Sequence, residues 1–392
     1  MTRPETTARL ADRHALVLGA GVSGLAVSAA LRQFGMNVEV LEQAPAISEV
    51  GAGLQISPNG VRVLRALGID PRKAGDPSEA VELRDKTGAL VTRLTLPKTP
   101  GFYLCHRADL IGTLEDAARE AGTRVQLSQQ AEGVTLRAEG AEVSTTSGAT
   151  HTASLVIGAD GLHSKVRAAL NGKRQPFFTG QVAWRTIIEG DGGPPVAQVF
   201  MGPGRHLVSY PLRGGRLRNI VAVMETPTWT AEGWNHPDDP AALRDAFAGF
   251  GGPVPDWLNA VRDVWLWGLF RHPVAQTWYD DHGHAAILGD AAHPTLPFMA
   301  QGANMALEDA WSLAANLAAH PDDPSLALRR YGAQRVPRAR AIVATANRNA
   351  RNYHLRGPVA KLAHGVLRIG GRVAPSAALR KFGWIYDHDV TA

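Results

Sequence analysis

HALVLGAGVSGL, residues 14–25, decides the fold. The run from Ala15 to Leu18 is short and wholly apolar, as a strand covered on both faces should be, and Gly19-Ala20-Gly21-Val22-Ser23-Gly24 follows it at once. Beyond the glycines Leu25, Leu31 and Phe34 fall at helical spacing, and NVEVLEQ at 37–43 reads as a second strand, so the segment predicts β-α-β. In that setting G-x-G-x-x-G is a dinucleotide fingerprint. Gly19 permits the tight turn, Gly21 lets a pyrophosphate approach the backbone, and Gly24 lets helix and strand pack closely. The helix N-terminus adds unpaired N–H groups for the phosphates. Glu42, at the end of the second strand, is expected to accept the ribose hydroxyls; its charge disfavours a 2′-phosphate, which points to FAD or NAD rather than NADP. The competing reading is a glycine turn without a ligand, and strand, helix and Glu42 together weigh against it.

The chain has 392 residues, more than one domain of about 100–200 residues, so two cores or one enlarged α/β domain with a lobe are expected. Hydrophobic residues at 45% and charged residues at 20% argue for a globular protein and against a disordered or collagen-like one. The single cysteine, Cys105, excludes an intrachain disulfide framework and a Cys-rich metal site, and a cytoplasmic location is the default. The N-terminus has no apolar run before Leu16, which gives no sign of a secretory signal.

Charge is uneven. Between Pro324 and Asp387 stand thirteen Lys and Arg and no acidic residue, leaving 28 basic against 36 acidic residues elsewhere. This segment is a candidate for contact with an anionic membrane surface and for homodimer formation. Its arginines alternate with apolar residues, which favours a solvated helix face over a polyanion-binding tail; nucleic acid is not expected as a partner.

Further along, 51–68 reads as a glycine loop and a short amphipathic helix. Residues 81–96 alternate around a Thr87-Gly88 turn, 106–122 form a helix with Asp109 as N-cap, and 132–157 alternate again. From 176 to 270 short strand-like runs rich in Gly, Pro and Trp suggest a β lobe. AAILGDAAHP at 285–294 is a buried strand ending in a loop. A long helix starts near Asn304, and the tail from 326 is helical with Val336, Ala339, Val343, Ala346 and Ala350 as its apolar stripe.

GADGLHSKVR at 158–167 and GDAAHP at 289–294 each follow a buried strand. With the first motif, in this order and at these separations, they resemble the class A flavoprotein aromatic hydroxylases, the family of p-hydroxybenzoate and salicylate hydroxylases, from about Leu16 to Ala318. The resemblance implies an α/β fold: a Rossmann-like FAD-binding domain of the p-hydroxybenzoate hydroxylase type, a β-rich substrate lobe and a helical C-terminal tail. The expected partition is a discontinuous FAD-binding domain (1–75, 100–175 and 271–325), a substrate lobe (76–99 and 176–270) and a C-terminal segment (326–392). It also implies a monooxygenase that uses FAD, transient NADH or NADPH, and O2 to hydroxylate a small phenolic acid-like substrate through a flavin C4a-hydroperoxide. No second G-x-G-x-x-G follows a strand, so a separate nicotinamide-binding domain is not expected.

Residue by residue, the resemblance assigns Asp290 to the ribityl chain of FAD and Arg107, in CHRADL at 105–110, to the cofactor's polar chain. Asp160 and Arg167 fall where the second motif supports FAD and the nicotinamide cofactor; strand-end capping is the bland reading of such aspartates. Gly302 and Asn304, in QGAN at 301–304, open the long helix, whose N-terminus favours the negative charge of a reduced flavin. His206, in RHLVSYPL at 205–212, matches the base histidine of related hydroxylases, since a base near pH 7 turns a phenol toward the phenolate that an electrophilic oxygen requires. Tyr210 shares its strand face and joins it as a catalytic candidate. One departure is Leu296-Pro297-Phe298-Met299, apolar where hydroxybenzoate 6-hydroxylases carry a polar residue, which suggests an apolar ring site and puts a carboxylate pocket in doubt.

Other classes fit less well. No G-x-S-x-G follows a strand, and His282-x-His284 beside Asp280 and Asp281 is a weak metal signal that a turn explains. The alternatives kept are a hydroxylase or epoxidase of a larger lipophilic ring, suggested by Trp184, Trp265, Trp267 and Phe298, and a non-catalytic flavin-binding module.

Overall fold

The computed structural model describes residues 10–47, 52–172, 175–230, 236–373 and 377–392. The apolar run after His14 is β1 (His14–Leu18), the middle strand of a five-stranded parallel sheet. The sheet order is β19 (Ala285–Ile287), β12 (Leu155–Gly158), β1, β2 (Asn37–Leu41) and β8 (Arg124–Gln126). Ala15 to Leu18 and Leu155 to Ile157 are almost wholly shielded because the sheet is covered on both faces. On one side α1 (Val22–Gln33) packs against α4 (Arg107–Glu120) and α8 (Gly302–Ala319). On the other lies the meander of β9 (Ala131–Arg137), β10 (Gly140–Thr145) and β11 (Thr150–Ala153). α1 can approach closely because its buried face is small: Gly24, Ala26, Ala29 and Ala30.

Asp109 is not the N-cap of α4. β7 (Tyr103–His106) runs into the helix without a loop, so His106 takes the cap position, and Asp109 in the first turn pairs with Arg213 at 2.6 Å. A three-stranded sheet of β3 (Gly53–Ile56), β7 and β4 (Gly75–Pro77), with α2 (Pro58–Ala66) and the single turn α3 (Pro71–Ala74), links this core to the second one.

The second core is an eight-stranded sheet. Its order is β17 (His236–Asp238), β18 (Val264–Arg271), β13 (Phe177–Glu189), β16 (Leu217–Glu225), β15 (Arg205–Leu212), β14 (Val196–Gly202), β5 (Ala80–Asp85) and β6 (Leu90–Thr95). Neighbours are antiparallel except β14 and β5, and β5 and β6 form the hairpin expected around Thr87-Gly88. One face carries Trp184, Phe200 and Leu207 against α6 (Pro240–Phe247) and α7 (Val254–Asn259). The opposite face presents Ala183, Val223, Trp267 and Leu269 to Leu296 and Phe298. That second face bounds the candidate site.

The C-terminal segment is helical, as expected: α5 (Lys165–Asn171) lies far upstream, and the tail itself holds α9 (Pro324–Tyr353) and α10 (Gly357–Val373). Ala339 and Ala346 of the α9 stripe are buried and Val336 and Val343 pack on the main core, while the side chain of Ala350 lies outside the described residues. α9 is bound to α8 by buried charge. Arg335 lies 2.6 Å from Glu308 and 2.7 Å from Asp309, with all three almost inaccessible, and Arg338 makes a two-pronged contact with Glu308. Burial alone would raise these carboxyl pKa values, but the cations, Arg335 first for Glu308 and His293 then Arg335 for Asp309, hold both down at about 2.

Arg335→Met takes one cation from two buried carboxylates, Glu308 keeping Arg338 and Asp309 keeping His293, so it should cost up to about 3–5 kcal/mol, read as a fall in the urea midpoint with unchanged slope. Because these carboxyl values are depressed in the fold, the cluster's contribution is complete above the unfolded-chain values near pH 4. It should fade as pH falls toward 2 in the wild type, and the variant, left with Arg338 and His293 only, should show a smaller fade.

Candidate active site

The three sequence motifs meet at the C-terminal ends of β1, β12 and β19, three adjacent parallel strands. Contact there is close enough to demand glycine. A Cβ on Gly19, whose φ is +98°, would stand 2.6 Å from the Ala159 carbonyl oxygen, and one on Gly24 only 1.9 Å from that of Gly19. Gly21 differs: a Cβ there would meet no atom within 4 Å, so its backbone faces open space beside the N-terminus of α1. That is the cradle a pyrophosphate requires. Glu42 sits beside it with one carboxylate oxygen accepting from Ala20 N at 2.7 Å and the other from Ala44 N at 2.8 Å, which ties the end of β2 to the glycine turn.

Asp290 follows β19. The residue is exposed, and desolvation by the protein around its carboxyl pushes its pKa up against the influence of His293, Arg107 and His272. Arg107 and Asp290 are therefore electrostatic neighbours although 183 positions apart in the chain. Asp160 accepts from Lys165 N at 2.7 Å, the capping role weighed from sequence, while its Oδ1 is buried without a partner. Arg167 is nearly buried and donates to the carbonyls of Ala291 and Pro273, so it braces the turn at Gly289–Ala291. The N-terminus of α8 has no side-chain cap and no acidic residue in its first turn, which leaves donors at Gly302 for an anion. The Asn304 side chain is engaged elsewhere: it accepts from Ser57 N and donates to the carbonyls of Gln55 and Ala300, clamping the turn after β3. An open backbone cradle, an acid beside it, an orphaned Asp160 oxygen and an uncapped helix end fit an elongated dinucleotide with a flavin at one end.

His206 and Tyr210 do lie on the same face of β15, the face toward Phe298. Strand register sets Trp267, Ala183, Val223, His206 and Met201 in one row across that face, and Arg185, Val221 and Val208 in the next. His206 is buried, with ring centroids of Phe298 at 5.6 Å, Tyr353 at 5.1 Å and His354 at 4.9 Å. Its Nδ1 is 2.7 Å from Nε2 of His354, whose Nδ1 is 3.0 Å from Glu225. Burial first, and His354 second, push the His206 pKa well below its ordinary value. Tyr210 is about 13 Å away along the strand; its hydroxyl lies against Gly53, and burial raises its pKa. A ligand touching both must span that gap.

The sequence reading missed Arg185, His354 and Glu225. Arg185 is buried in mid-strand with its guanidinium carbon 5.8 Å from the Trp267 ring centroid, close enough to Tyr210 to influence it electrostatically. Its signal was present: one cation inside the apolar run VAWRTII. His354 and Glu225 gave none, since the helix end and strand end that carry them are 129 positions apart. The weak metal signal dissolves into a turn: Asp280 accepts from the backbone of His282 and His284, and among the described residues no His, Cys, Asp and Glu cluster suits a metal ion.

A family model described as FAD binding domain matches residues 12–346. A 3-amino-4-hydroxybenzoate 2-monooxygenase of Streptomyces platensis is 34% identical over 95% of each chain, and a salicylate hydroxylase of Pseudomonas putida is 30% identical over 95% of this chain and 92% of its own. The chain belongs to the class A FAD-dependent aromatic hydroxylases. Among solved structures, a salicylate hydroxylase substrate complex superposes with a TM-score of 0.81 at 26% identity, covering 97% of this chain and 96% of that one. Klebsiella pneumoniae HpxO with FAD and uric acid gives 0.80 at 27%, covering 93% and 95%. The hydroxylase is thus an FAD enzyme of a family that takes reducing equivalents from NAD(P)H.

Gly21→Val should leave the thermal midpoint of the apoprotein unchanged, because its side chain meets open space, while abolishing the yellow bound flavin. Gly24→Ala should instead destabilise the fold, by about 1–3 kcal/mol for forced overpacking, as read by the same melt.

Proposed function

We propose that the hydroxylase acts on a small phenolic acid of the hydroxybenzoate type. The observation that carries this is the pairing of a buried imidazole, His206, with a buried guanidinium, Arg185, on the one sheet face that looks toward Phe298. A base and a fixed cation on an otherwise apolar wall match a substrate with a phenolic hydroxyl at one end and a carboxylate at the other. The apolar Leu296–Met299 turn, which cast doubt on a carboxylate pocket, is thereby complemented by a cation from the strand. Relatives named for 3-amino-4-hydroxybenzoate, 3-hydroxybenzoate and salicylate support the same class.

FAD, held by Gly19, Gly21, Gly24, Glu42, Arg107, Asp160, Asp290 and the N-terminus of α8, supplies on reduction by NAD(P)H the activation of O2. The protein's own part is to orient the ring, exclude water and hold the proton of the phenol. His206 takes that proton, Arg185 anchors the carboxylate, and Trp267, Val223 and Phe298 enclose the ring. Arg167 supports the site through the turn it braces, and Tyr210 closes its far end. We infer that residues 1–75, 100–175 and 271–325 form the FAD-binding unit, since every strand of the parallel sheet falls there; 76–99 and 176–270 hold the strands of the eight-stranded sheet except for Arg271, the last residue of β18. A reducing, cytoplasmic setting fits the buried lone Cys105.

NADH and NADPH oxidation, oxygen uptake and peroxide are to be measured together with 3-amino-4-hydroxybenzoate, 3-hydroxybenzoate and salicylate. One of these should accelerate oxidation and suppress peroxide; stimulation by none of them, with FAD bound, would sink the phenolic-acid reading in favour of a larger lipophilic ring. With the active substrate, Arg185→Met should raise KM about 10- to 100-fold, the worth of a charge-assisted hydrogen bond, and His206→Gln should lower kcat about 10²- to 10⁴-fold.

The C-terminal segment, a candidate for homodimer formation, carries an exposed apolar face. α10 turns Leu367 toward Val91, Val199 and Met201, yet its five large aliphatics on the other side, Val359, Leu362, Val366, Ile369 and Val373, are 62–79% exposed. Their spacing alternates three and four, with valine at each a position and Leu or Ile at d, as in a two-stranded helix pair. Of the flanking positions Ala363, Gly365 and Gly370 are small and Arg372 is charged, and the small ones admit close approach of a second copy of α10. Leu362→Glu with Ile369→Glu should convert the protein from dimer to monomer in sedimentation velocity without lowering FAD content. Wild type that sediments as a monomer and pellets with phosphatidylserine vesicles would replace this reading by the membrane one.

A further inference from the structure

The hydrogen bonds around His206 continue beyond it. His206 Nδ1 meets His354 Nε2 at 2.7 Å, His354 Nδ1 meets Glu225 Oε1 at 3.0 Å, and Arg356 donates to Glu225 Oε2 at 2.6 Å. Both histidines are almost inaccessible, whereas the Glu225 side chain at the end of the chain of contacts is 40% exposed. Glu225 lines a cavity of about 650 Å³ shared with Phe177, Gln181, Arg271, Asn347 and Arg356. A buried imidazole is thus connected to open water through two side chains and no backbone group.

Proton positions along this row follow from chemistry. Burial alone would raise the Glu225 pKa, but hydrogen bonds from His354 and Arg356 outweigh it, so Glu225 is ionised near neutral pH and only accepts. His354 Nδ1 must then donate. A neutral imidazole carries one proton, so His354 Nε2 accepts, and His206 Nδ1 is the donor to it. The remaining His206 nitrogen, Nε2, is left with its lone pair. Glu225, two residues removed, sets the tautomer of His206 to that of a base.

We propose that His206, His354 and Glu225 form a proton relay that carries the substrate's phenolic proton to the solvent and returns it to the product. This rests on the phenolic substrate reading above. On activation the phenol O–H bond breaks and the proton joins His206 Nε2. The Nδ1 proton of His206 passes to His354 Nε2, and the Nδ1 proton of His354 passes through the Glu225 carboxylate to water. The phenolate keeps the electron pair. When the ring regains aromaticity after oxygen transfer, one proton runs the same path inward to the product oxygen and restores both original tautomers. Nothing is oxidised or reduced along the relay.

The surroundings explain why His206 needs a chain. Phe298, Tyr353, Val223 and Met201 pack around it, and the Tyr353 hydroxyl, its pKa raised by burial, stays protonated and supplies no negative charge. An imidazolium would be costly there. At His354 burial again disfavours the cation, Glu225 favours it, and Arg356 and Arg205 oppose it. A proton therefore has no resting place before Glu225, which suits rapid transfer rather than storage. His354 and Glu225 do not touch substrate and are positioning and relay residues.

The test uses holoenzyme. In ¹⁵N-histidine spectra without substrate, His206 and His354 should both appear as Nδ1–H tautomers, and Glu225→Gln should disturb both; an Nε2–H tautomer at His206 in the wild type overturns the proposal. In stopped flow, 3-amino-4-hydroxybenzoate mixed with wild type should give phenolate absorbance. His354→Gln, which can still accept from His206 but cannot pass a proton on, should slow its appearance at least tenfold with bound FAD and substrate Kd within twofold of wild type. Added imidazole should restore the rate in His354→Ala. Phenolate formation in His354→Gln at the wild-type rate overturns the relay alone. Phenolate formation in His206→Gln at the wild-type rate overturns instead the assignment of His206 as base.

Discussion

Asp309 is the charge on which the architecture turns. Deep in α8, with no access to water, it accepts from the backbone N–H of Gly289, from His293 and from Arg335. The first two belong to the turn that presents Asp290, and the third to α9. A buried carboxylate must satisfy its acceptor sites or leave the interior. One side chain therefore fixes the turn at Gly289–His293 relative to α8 and α9. Glu308, one residue earlier, repeats the device with Arg335, Arg338 and Asn59, and Arg338 also holds the backbone carbonyls of Trp384 and Ile385 near the C-terminus. The C-terminal segment is in this way keyed to the cofactor-binding core rather than appended to it.

From that anchoring α9 acquires a second task. Its first half is buried in the main core through Ala327, Leu328 and Tyr331, and its end delivers Tyr353 and His354 to the β15 strand of the other core. A helix of 30 residues spans about 45 Å, enough to tie the parallel sheet to the eight-stranded one. The wall that bears His206 and Arg185 is thereby held opposite the Phe298 turn from two directions, with Trp267, Val223 and Phe298 as apolar neighbours.

Dryness has a chemical consequence. It strengthens the pairing of a guanidinium with a carboxylate and it weakens an imidazole as a resting place for a proton. The two effects come from the same burial and cannot be separated by sequence changes at the ring site. A hydrogen-bonded exit through His354 and Glu225 resolves the conflict, because the base then needs only to pass a proton on. The basic tail, which in composition resembles a polyanion-binding segment, spends several of its cations internally: Arg335, Arg338, Arg356 and Arg368 all pair with carboxylates of the body.

What the sequence determined by itself was the cofactor half. Gly19 and Gly24 are legible because close contact between turn, helix and neighbouring strand demands glycine at a fixed short spacing, and β1, α1 and β2 are contiguous. The parallel core, the Thr87-Gly88 hairpin and the long helix after Gln301 were legible for the same local reason. His206 stood out through its match to related enzymes, yet the tautomer it adopts depends on Glu225 and His354, which α9 and β16 bring together from distant parts of the chain. The clamp that the Asn304 side chain makes and the brace that Arg167 makes were not legible, since hydrogen-bond partners at Ser57, Pro273 and Ala291 have no signature in spacing. Asp109 missed its cap because β7 enters α4 without a loop. Local steric demands write themselves into sequence, whereas the placement of buried charge is decided by which surfaces the tertiary fold presses together.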